Sequence, residues 1–158
     1  MVDGITIRNV VFFCALIGLM RSAHSSPSLD RCFQISSEKY QINTVLLKAI
    51  VIQESSMNPR AINARSTDED VGLMQINTFW FRPLQALGIS RDMLFDPCIS
   101  IDVGAWVLAQ SIAHFGDNWR AVGAYNAGTA ITKKAEKNRE AYADSVKRHY
   151  DTLLGGMR

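Results

Sequence analysis

The stretch TVLLKAIVIQESSMNPRA, residues 44–61, contains the clearest helical pattern of the chain. Its apolar stripe consists of Leu47, Ile50 and Val51. Asn43 is a suitable N-cap, and Pro59 prevents the helix from continuing, so the pattern predicts a helix over Thr44–Ser55.

Glu54 lies three to four residues after Ile50 and Val51 and therefore continues the apolar face of this helix. Burial disfavours a charged carboxylate, and the negative end of the helix dipole acts in the same direction, so we expect a raised pKa. A carboxyl group that keeps its proton near neutral pH suits a general acid. From periodicity alone, a Glu at the stripe's edge that turns into solvent is the alternative.

Helical periodicity dominates the remaining chain, in which we find no repeat, linker or low-complexity tract. One long stripe consists of Ile101, Ala105, Leu108, Ile112 and Phe115, and it ends at Gly116. A shorter helix is predicted from Asn118 to a left-handed end at Gly128, and an amphipathic helix over 135–154. Between Asn63 and Asn77 the periodicity disappears, which predicts a loop or small hairpin. The sequence therefore predicts one mainly helical domain.

The N-terminus has the pattern of a secretory signal. Arg8 precedes an apolar run over residues 10–20, and small and polar residues follow the run. Such a run forms a helix of about 16 Å, whereas a membrane span must cross about 30 Å of hydrocarbon. We therefore expect no permanent membrane span, a signal peptide over 1–25 and a mature domain over 26–158. A buried N-terminal helix of a cytosolic protein is the alternative.

Composition narrows the function classes. The formal charge of the 158 residues is only +2, which argues against a nucleic-acid-binding protein. Of the three cysteines, Cys14 would leave with the signal. A bridge between Cys32 and Cys98 would suit an exported protein and stabilise it by roughly 4 kcal/mol, although two separate buried thiols are the alternative.

Other chemistries find little support in the sequence. His114 and His149 stand without neighbouring ligand patterns, so we expect no metal site. The chain contains neither a glycine-rich phosphate loop nor a nucleophile elbow.

Four ordered blocks resemble motifs of the lytic transglycosylases with a lysozyme-like fold. They are ESSMNPRA at 54–61, GLMQI at 72–76, AYNAG at 124–128, and AYA at 141–143 with Val146. The resemblance covers roughly Cys32 to Tyr150 and is nearest to the small enzymes of type III and type IV secretion and conjugation systems. It implies a mainly α, α+β lysozyme-like fold, in which a helical lobe and the polar segment 60–77 form the two sides of a cleft.

The resemblance implies cleavage of the β-1,4 bond from N-acetylmuramic acid to N-acetylglucosamine in peptidoglycan. Glu54 would first protonate the leaving oxygen. Its carboxylate would then take the proton of the muramyl 6-hydroxyl as that oxygen closes on the anomeric carbon, which gives a 1,6-anhydromuramyl end. The substrate's own N-acetyl group would stabilise the cationic sugar, so one protein carboxylate suffices and no cofactor is required. The implied location is the periplasm, with glycan strands as partner and a secretion-system component as a further candidate.

The residues just before the second block depart from the commoner family pattern, which has small uncharged residues where this chain has Asp68, Glu69 and Asp70. The stretch 66–77 is similar to the hairpin of animal-type lysozymes, whose second catalytic carboxylate stands two residues before the glycine. Asp70 is therefore a candidate to stabilise positive charge or to act as a nucleophile. A solvent-exposed turn residue is the alternative. A hydrolytic muramidase that uses Glu54 and Asp70, or a glycan-binding scaffold without turnover, are the alternative functions.

The same resemblance implies further substrate contacts. The candidate residues are Met74, Gln75, Tyr125, Asn126 and Tyr142. The two amides would hold N-acetyl groups, although either could satisfy buried backbone instead. The two tyrosines would stack on sugar faces or orient Glu54, although an aromatic residue near a helix stripe is commonly core. Met74 would line the cleft floor.

Overall fold

The computed structural model describes residues 28–156, so the predicted signal peptide and its cleavage site lie outside the described residues. Two lobes of different structure make up this part of the chain. Its elements are α1 (Leu29–Tyr40), α2 (Thr44–Ser55), β1 (Ile62–Ala64), β2 (Glu69–Val71), β3 (Ile76–Asn77), α3 (Phe81–Ala86), α4 (Pro97–Phe115), α5 (Trp119–Ala127) and α6 (Lys133–Gly155). Short 3-10 helices cover Thr78–Trp80 and Arg91–Phe95.

Side-chain caps fix where the helices of the site begin. Asn43 Oδ1 accepts from Val45 N at 2.8 Å, and Asn118 Oδ1 accepts from Ala121 N at 3.1 Å. The predicted bounds of α2 and α5 and the predicted end of α4 are confirmed. Helix α6 begins two residues before the predicted position, because Thr132 caps a first turn made of lysines that carries no apolar signal.

The end of α5 differs in detail from the prediction. Gly128 has φ 66° and ψ −168°, so its φ is positive but its backbone is not in the left-handed helical region. The expected left-handed helix terminus at this glycine is therefore wrong, while the requirement for glycine at positive φ stands.

The segment predicted as a loop or hairpin is a three-stranded antiparallel sheet in the order β1-β2-β3. Asp70 pairs with Asn63 on one neighbouring strand and with Asn77 on the other. Residues that pair directly across antiparallel strands point to the same face of the sheet. The register therefore places these three polar side chains in a row.

Two arginines hold the less regular parts of the chain in place. Arg91 donates from Nε and Nη2 to the Glu69 carboxylate at 2.6 and 2.7 Å, which ties β2 to the 3-10 helix at 91–95. Arg139 is 1% exposed and donates to the carbonyl oxygens of Gly128 and Ala130 at 2.6 and 2.9 Å. The turn between α5 and α6 is thereby fixed to the helical lobe.

The core is built around α4, which packs against α1 and α5, while α2 packs against α6. The buried residues of α4 are Ser100, Ile101, Val103, Gly104, Ala105, Val107, Leu108 and Ser111. Within residues 28–156, α4 is the one helix long and apolar enough to cross a membrane by length and composition, and its buried side chains form part of the core. The predicted disulfide is confirmed, because Cys32 of α1 and Cys98 of α4 are bonded at 1.95 Å.

Candidate active site

A cavity of about 130 Å³ opens between the helical lobe and the sheet. Helices α2, α4 and α5 form one side of it, and residues 65–80 form the other. It is lined by Glu54, Arg65, Asp70, Gln75, Ile76, Asn77, Trp80, Val107, Tyr125 and Asn126. The cleft expected between a helical lobe and the polar segment 60–77 is therefore present.

Glu54 lies in the last turn of α2, with its carboxylate at the wall of this cavity. Burial raises its pKa from 4.5 to about 7, and the negative charge of Asp70 acts in the same direction. A hydrogen bond from the Tyr142 hydroxyl to Oε1 opposes them, because it stabilises the carboxylate. The raised pKa expected from the sequence is confirmed. Glu54 does not turn into solvent, so that alternative is wrong.

Two tyrosines support the inner end of the cavity, with ring centroids 6.4 Å apart and an interplanar angle of 22°. Tyr142 of α6 is 8% exposed and does not line the cavity, so the expectation that it stacks on a sugar is wrong. It contacts Glu54, which was the other expectation for it. Tyr125 of α5 lines the cavity and donates to the carbonyl of Met74 at 2.7 Å. Burial raises the pKa of both phenols well above 10, so both stay neutral hydrogen-bond donors.

Asp70 lies on the sheet side of the cavity with its side chain 14% exposed. It accepts from Asn77 Nδ2 at 2.7 Å and from Asn63 Nδ2 at 3.5 Å, and Arg65 Nη2 lies 2.8 Å from its Oδ2. The alternative of a solvent-exposed turn residue is therefore wrong, because Asp70 is in a strand and faces the cleft. Two uncharged donors and one cation surround this carboxylate.

Gln75 lines the cavity, but its amide nitrogen is used by the protein. It donates to the carbonyl of Gly72 at 2.9 Å and to that of Ala61 at 3.2 Å. The alternative that this amide satisfies backbone groups is thus observed. Its other amide atom, Oε1, accepts no hydrogen bond from any donor in residues 28–156 and remains open to a substrate donor. Asn126 is exposed at the rim and lines the cavity.

The position of Met74 differs from the prediction that it lines the cleft floor. Its side chain is fully buried against Gly104 of α4 and does not line the cavity, so it makes no substrate contact. The next residue, Gln75, has φ 48°, and this turn of the chain directs the side chain of Met74 into the core. Met74 therefore contributes packing, and its carbonyl holds Tyr125.

A second concavity of about 470 Å³ continues from the first and shares five lining residues with it, namely Asn77, Trp80, Val107, Tyr125 and Asn126. Phe79 is 74% exposed at its edge and meets the ring of Trp80 at 5.0 Å. Exposed aromatic faces beside polar groups suit a sugar ligand, which presents apolar ring faces and hydroxyl edges. The two concavities together form one extended groove.

Sequence reasoning missed Arg65, Asn77, Phe79 and Trp80 as members of the site. Asn77 follows the GLMQI block directly and Trp80 lies four residues after its end, so their nearness to that block was an available signal. Arg65 carried no such signal, because its contact with Asp70 depends on the strand register. In residues 28–156 no group of three or more His, Cys, Asp or Glu side chains is placed to hold a metal ion.

Comparisons with known proteins agree with this geometry. Invasion protein IagB of Salmonella typhimurium (strain SL1344) is 43% identical over 126 residues, which cover 78% of each chain. Protein IpgF of Shigella flexneri is 41% identical over 128 residues, covering 78% of this chain and 83% of that protein. The X polypeptide of Escherichia coli is 40% identical over 121 residues, with coverages of 75% and 72%.

A solved structure and a family model complete the comparison. The structure of an inactive mutant of the lytic transglycosylase Slt from Pseudomonas aeruginosa matches with a TM-score of 0.60 and 23% identity. It covers 79% of this chain, which spans only 24% of that longer protein, and it confirms the mainly α, lysozyme-like fold. The model of the transglycosylase SLT domain matches residues 31–147. This match covers well over half of the sequence, so the chain belongs to the transglycosylase SLT domain family.

Proposed function

We propose that this protein is a peptidoglycan lytic transglycosylase that cleaves the β-1,4 bond between N-acetylmuramic acid and N-acetylglucosamine and leaves a 1,6-anhydromuramyl end. The observation that carries the proposal is the partly buried Glu54 at the cavity wall, with its pKa raised to about 7. At neutral pH such a carboxyl group is close to half protonated, so it can both give and take a proton.

Glu54 carries both proton transfers in the proposed reaction. In the first, the protonated carboxyl donates to the glycosidic oxygen as the bond to the anomeric carbon breaks. In the second, the resulting carboxylate takes the proton from the muramyl 6-hydroxyl, whose oxygen closes on the same carbon. Tyr142 holds the carboxylate in one orientation through both steps. The proton taken in the second step restores the starting state of the enzyme.

The positive charge that develops on the sugar needs stabilisation on the side of the cleft opposite Glu54. The substrate's N-acetyl group supplies part of it in this proposal, and the carboxylate of Asp70 supplies a further part through space. Asp70 is already bound by Asn77 and Asn63 and paired with Arg65, which favours a fixed electrostatic role over attack on carbon. The open Oε1 of Gln75 and the amide of Asn126 are the proposed contacts to N-acetyl groups, and Tyr125 borders the same space.

The biological setting is part of the proposal. Residues 1–25 would direct export, and the mature enzyme of residues 26–158 would act in the periplasm, where the disulfide is stable. The proposed role beside a secretion apparatus rests on the resemblance of the four sequence motifs to the small enzymes of such systems, and a similar protein, IagB, is named an invasion protein. A folded assembly cannot cross an intact glycan mesh, so local cutting would open a passage for it.

The test is digestion of purified peptidoglycan by the mature protein and by Glu54→Gln, with mass analysis of the soluble products. Glu38→Gln, the same change at an exposed position of α1, is the matched control. The proposal predicts anhydromuramyl ends from the wild type and the control, and none from Glu54→Gln. Reducing muramyl ends would instead identify a hydrolytic muramidase. Binding without any release would identify a scaffold.

A further inference from the structure

Arg65 is a charged group of the cleft that the proposed reaction does not use. It follows β1, lines the same cavity as Glu54 and Asp70, and is 51% exposed. Its guanidinium reaches two carboxylates, with Nη1 at 3.1 Å from Asp68 Oδ1 and Nη2 at 2.8 Å from Asp70 Oδ2. Among the residues that line the cavity, Arg65 is the single cation, and Glu54 and Asp70 are the two acids.

We propose that Arg65 is a positioning residue of the cleft, which pairs with Asp70 and shields Glu54 from the negative charge of that carboxylate. A free carboxylate acts on its surroundings as a full charge. A carboxylate with a guanidinium at 2.8 Å acts more nearly as a dipole, and its effect at Glu54 falls off faster with distance. The ion pair would thus set the pH range over which Glu54 exchanges its proton. The activity test of this inference rests on the proposed function, whereas its spectroscopic test does not.

The other groups around Glu54 leave this role to Arg65. From α6, Tyr142 donates a hydrogen bond to the carboxylate, and from α5, Tyr125 contributes a neutral phenol. The one basic residue of α2, Lys48, is paired with Asp30 at 2.7 Å. Arg139 of α6 is held by Glu136 and by the turn after α5. Asp70 is the charged group that acts on Glu54, and its cationic partner is Arg65.

The pair contributes little to the stability of the hairpin. The backbone N–H of Arg65 donates to the Asp68 carbonyl at 2.7 Å and closes the turn without help from the guanidinium. Asp70 keeps its hydrogen bonds from Asn77 and Asn63 when the arginine side chain is replaced. Ion pairs at half-exposed positions add little to stability, so removal of the guanidinium should change the electrostatics of the cleft and not its fold.

The experiment compares Arg65→Gln, which removes the charge, with Arg65→Lys, which retains it. Arg82→Gln, a change at an exposed arginine of α3, is the control. In the mature protein with isotope-labelled glutamate, the carboxyl resonance of Glu54 is titrated by NMR. In parallel, the pH dependence of kcat/KM is measured on peptidoglycan.

Arg65→Gln is expected to raise the pKa of Glu54 by about 0.5 to 1 unit, since the charge of Asp70 is no longer offset. The alkaline limb of the pH profile should move to higher pH by the same amount. Arg65→Lys and Arg82→Gln should titrate within about 0.2 units of the wild type, well below the shift expected from losing a nearby charge. A Glu54 titration that is unchanged in Arg65→Gln, or shifted equally in Arg65→Lys, would overturn the inference. If the protein showed no turnover, the proposed function would fail while the NMR titration still decided the role of Arg65.

Discussion

The helical wall and the sheet wall of the cleft each carry one carboxylate, and they surround it differently. On the helical wall, Glu54 is partly buried beside the hydroxyl of Tyr142, and burial is the main cause of its raised pKa. On the sheet wall, Asp70 is met by Asn63, Asn77 and the guanidinium of Arg65. Packed helices supply burial, whereas paired strands supply polar side chains at fixed register. One cavity therefore holds a buried carboxyl group with a raised pKa and a carboxylate fixed by polar partners.

Glu54→Gln removes the proposed proton donor of the helical wall and should have the largest effect on activity. We expect the rate of muropeptide release to fall about 10³-fold, in the middle of the range for a lost general acid. The measurement is the initial rate of soluble product formation from purified peptidoglycan. A residual rate above a tenth of the wild-type rate would show that Glu54 does not transfer the proton.

Asp70→Asn tests the sheet wall, and we expect kcat to fall about 10²-fold, as for the loss of one preorganised electrostatic contact. The charge of Asp70 raises the pKa of Glu54, so its removal should also lower that pKa and move the alkaline limb of the pH profile downward. Asp68→Asn, on the same hairpin, is the matched control. Wild-type turnover by Asp70→Asn would remove this residue from the mechanism.

The stability of Glu54→Gln should show the cost of burying the charged carboxylate. The native pKa of about 7 exceeds the ordinary glutamate value of 4.5, so the native wild type holds its proton more tightly than the unfolded chain. Its free energy of unfolding therefore decreases as the pH rises from 4.5 through 7. We expect the variant to be more stable than the wild type by about 2 kcal/mol at pH 8, with the difference vanishing near pH 4. Urea denaturation at both pH values measures this, and an equal difference at both would contradict it.

Of the three substitutions, Tyr142→Phe should have the smallest effect on activity. It removes the hydrogen bond that lowers the pKa of Glu54, so the alkaline limb should move upward, opposite to the shift in Asp70→Asn. We expect kcat to fall about tenfold, because the carboxylate is no longer held in one orientation. A tenfold fall corresponds to an increase of about 1.36 kcal/mol in the activation free energy. Tyr150→Phe, two turns further along α6, serves as control. Shifts in the same direction for Tyr142→Phe and Asp70→Asn would break the contrast between the walls.

Local patterns predicted the helix of the helical wall. The cap at Asn43 and the apolar stripe of α2 are encoded within a few residues. The position of Glu54 on that stripe indicated a raised pKa, but periodicity alone left a Glu turned into solvent as the alternative, and the resemblance to the transglycosylase motifs favoured the buried acid. Helix α1 was not predicted, because only Cys32, Phe33 and Ser36 among its twelve residues are buried. Such a sparse stripe gives a weak periodic signal.

The sheet wall depends on contacts that no local pattern encodes. Asp70 was recognised through a resemblance, but its partners Asn63, Asn77 and Arg65 follow from the strand register and the turn. Met74 was assigned to the cleft floor through the resemblance of the GLMQI block. The positive φ of 48° at Gln75 turns the chain there, and Met74 instead points into the core.

The central claim is that a sugar hydroxyl, and not water, completes the reaction that Glu54 begins. Digestion of peptidoglycan in water carrying a heavy oxygen isotope tests it most directly. We expect muropeptides that end in anhydromuramic acid and contain no heavy oxygen at the anomeric carbon. Reducing ends labelled at that carbon would show that water attacks it and that the 6-hydroxyl does not.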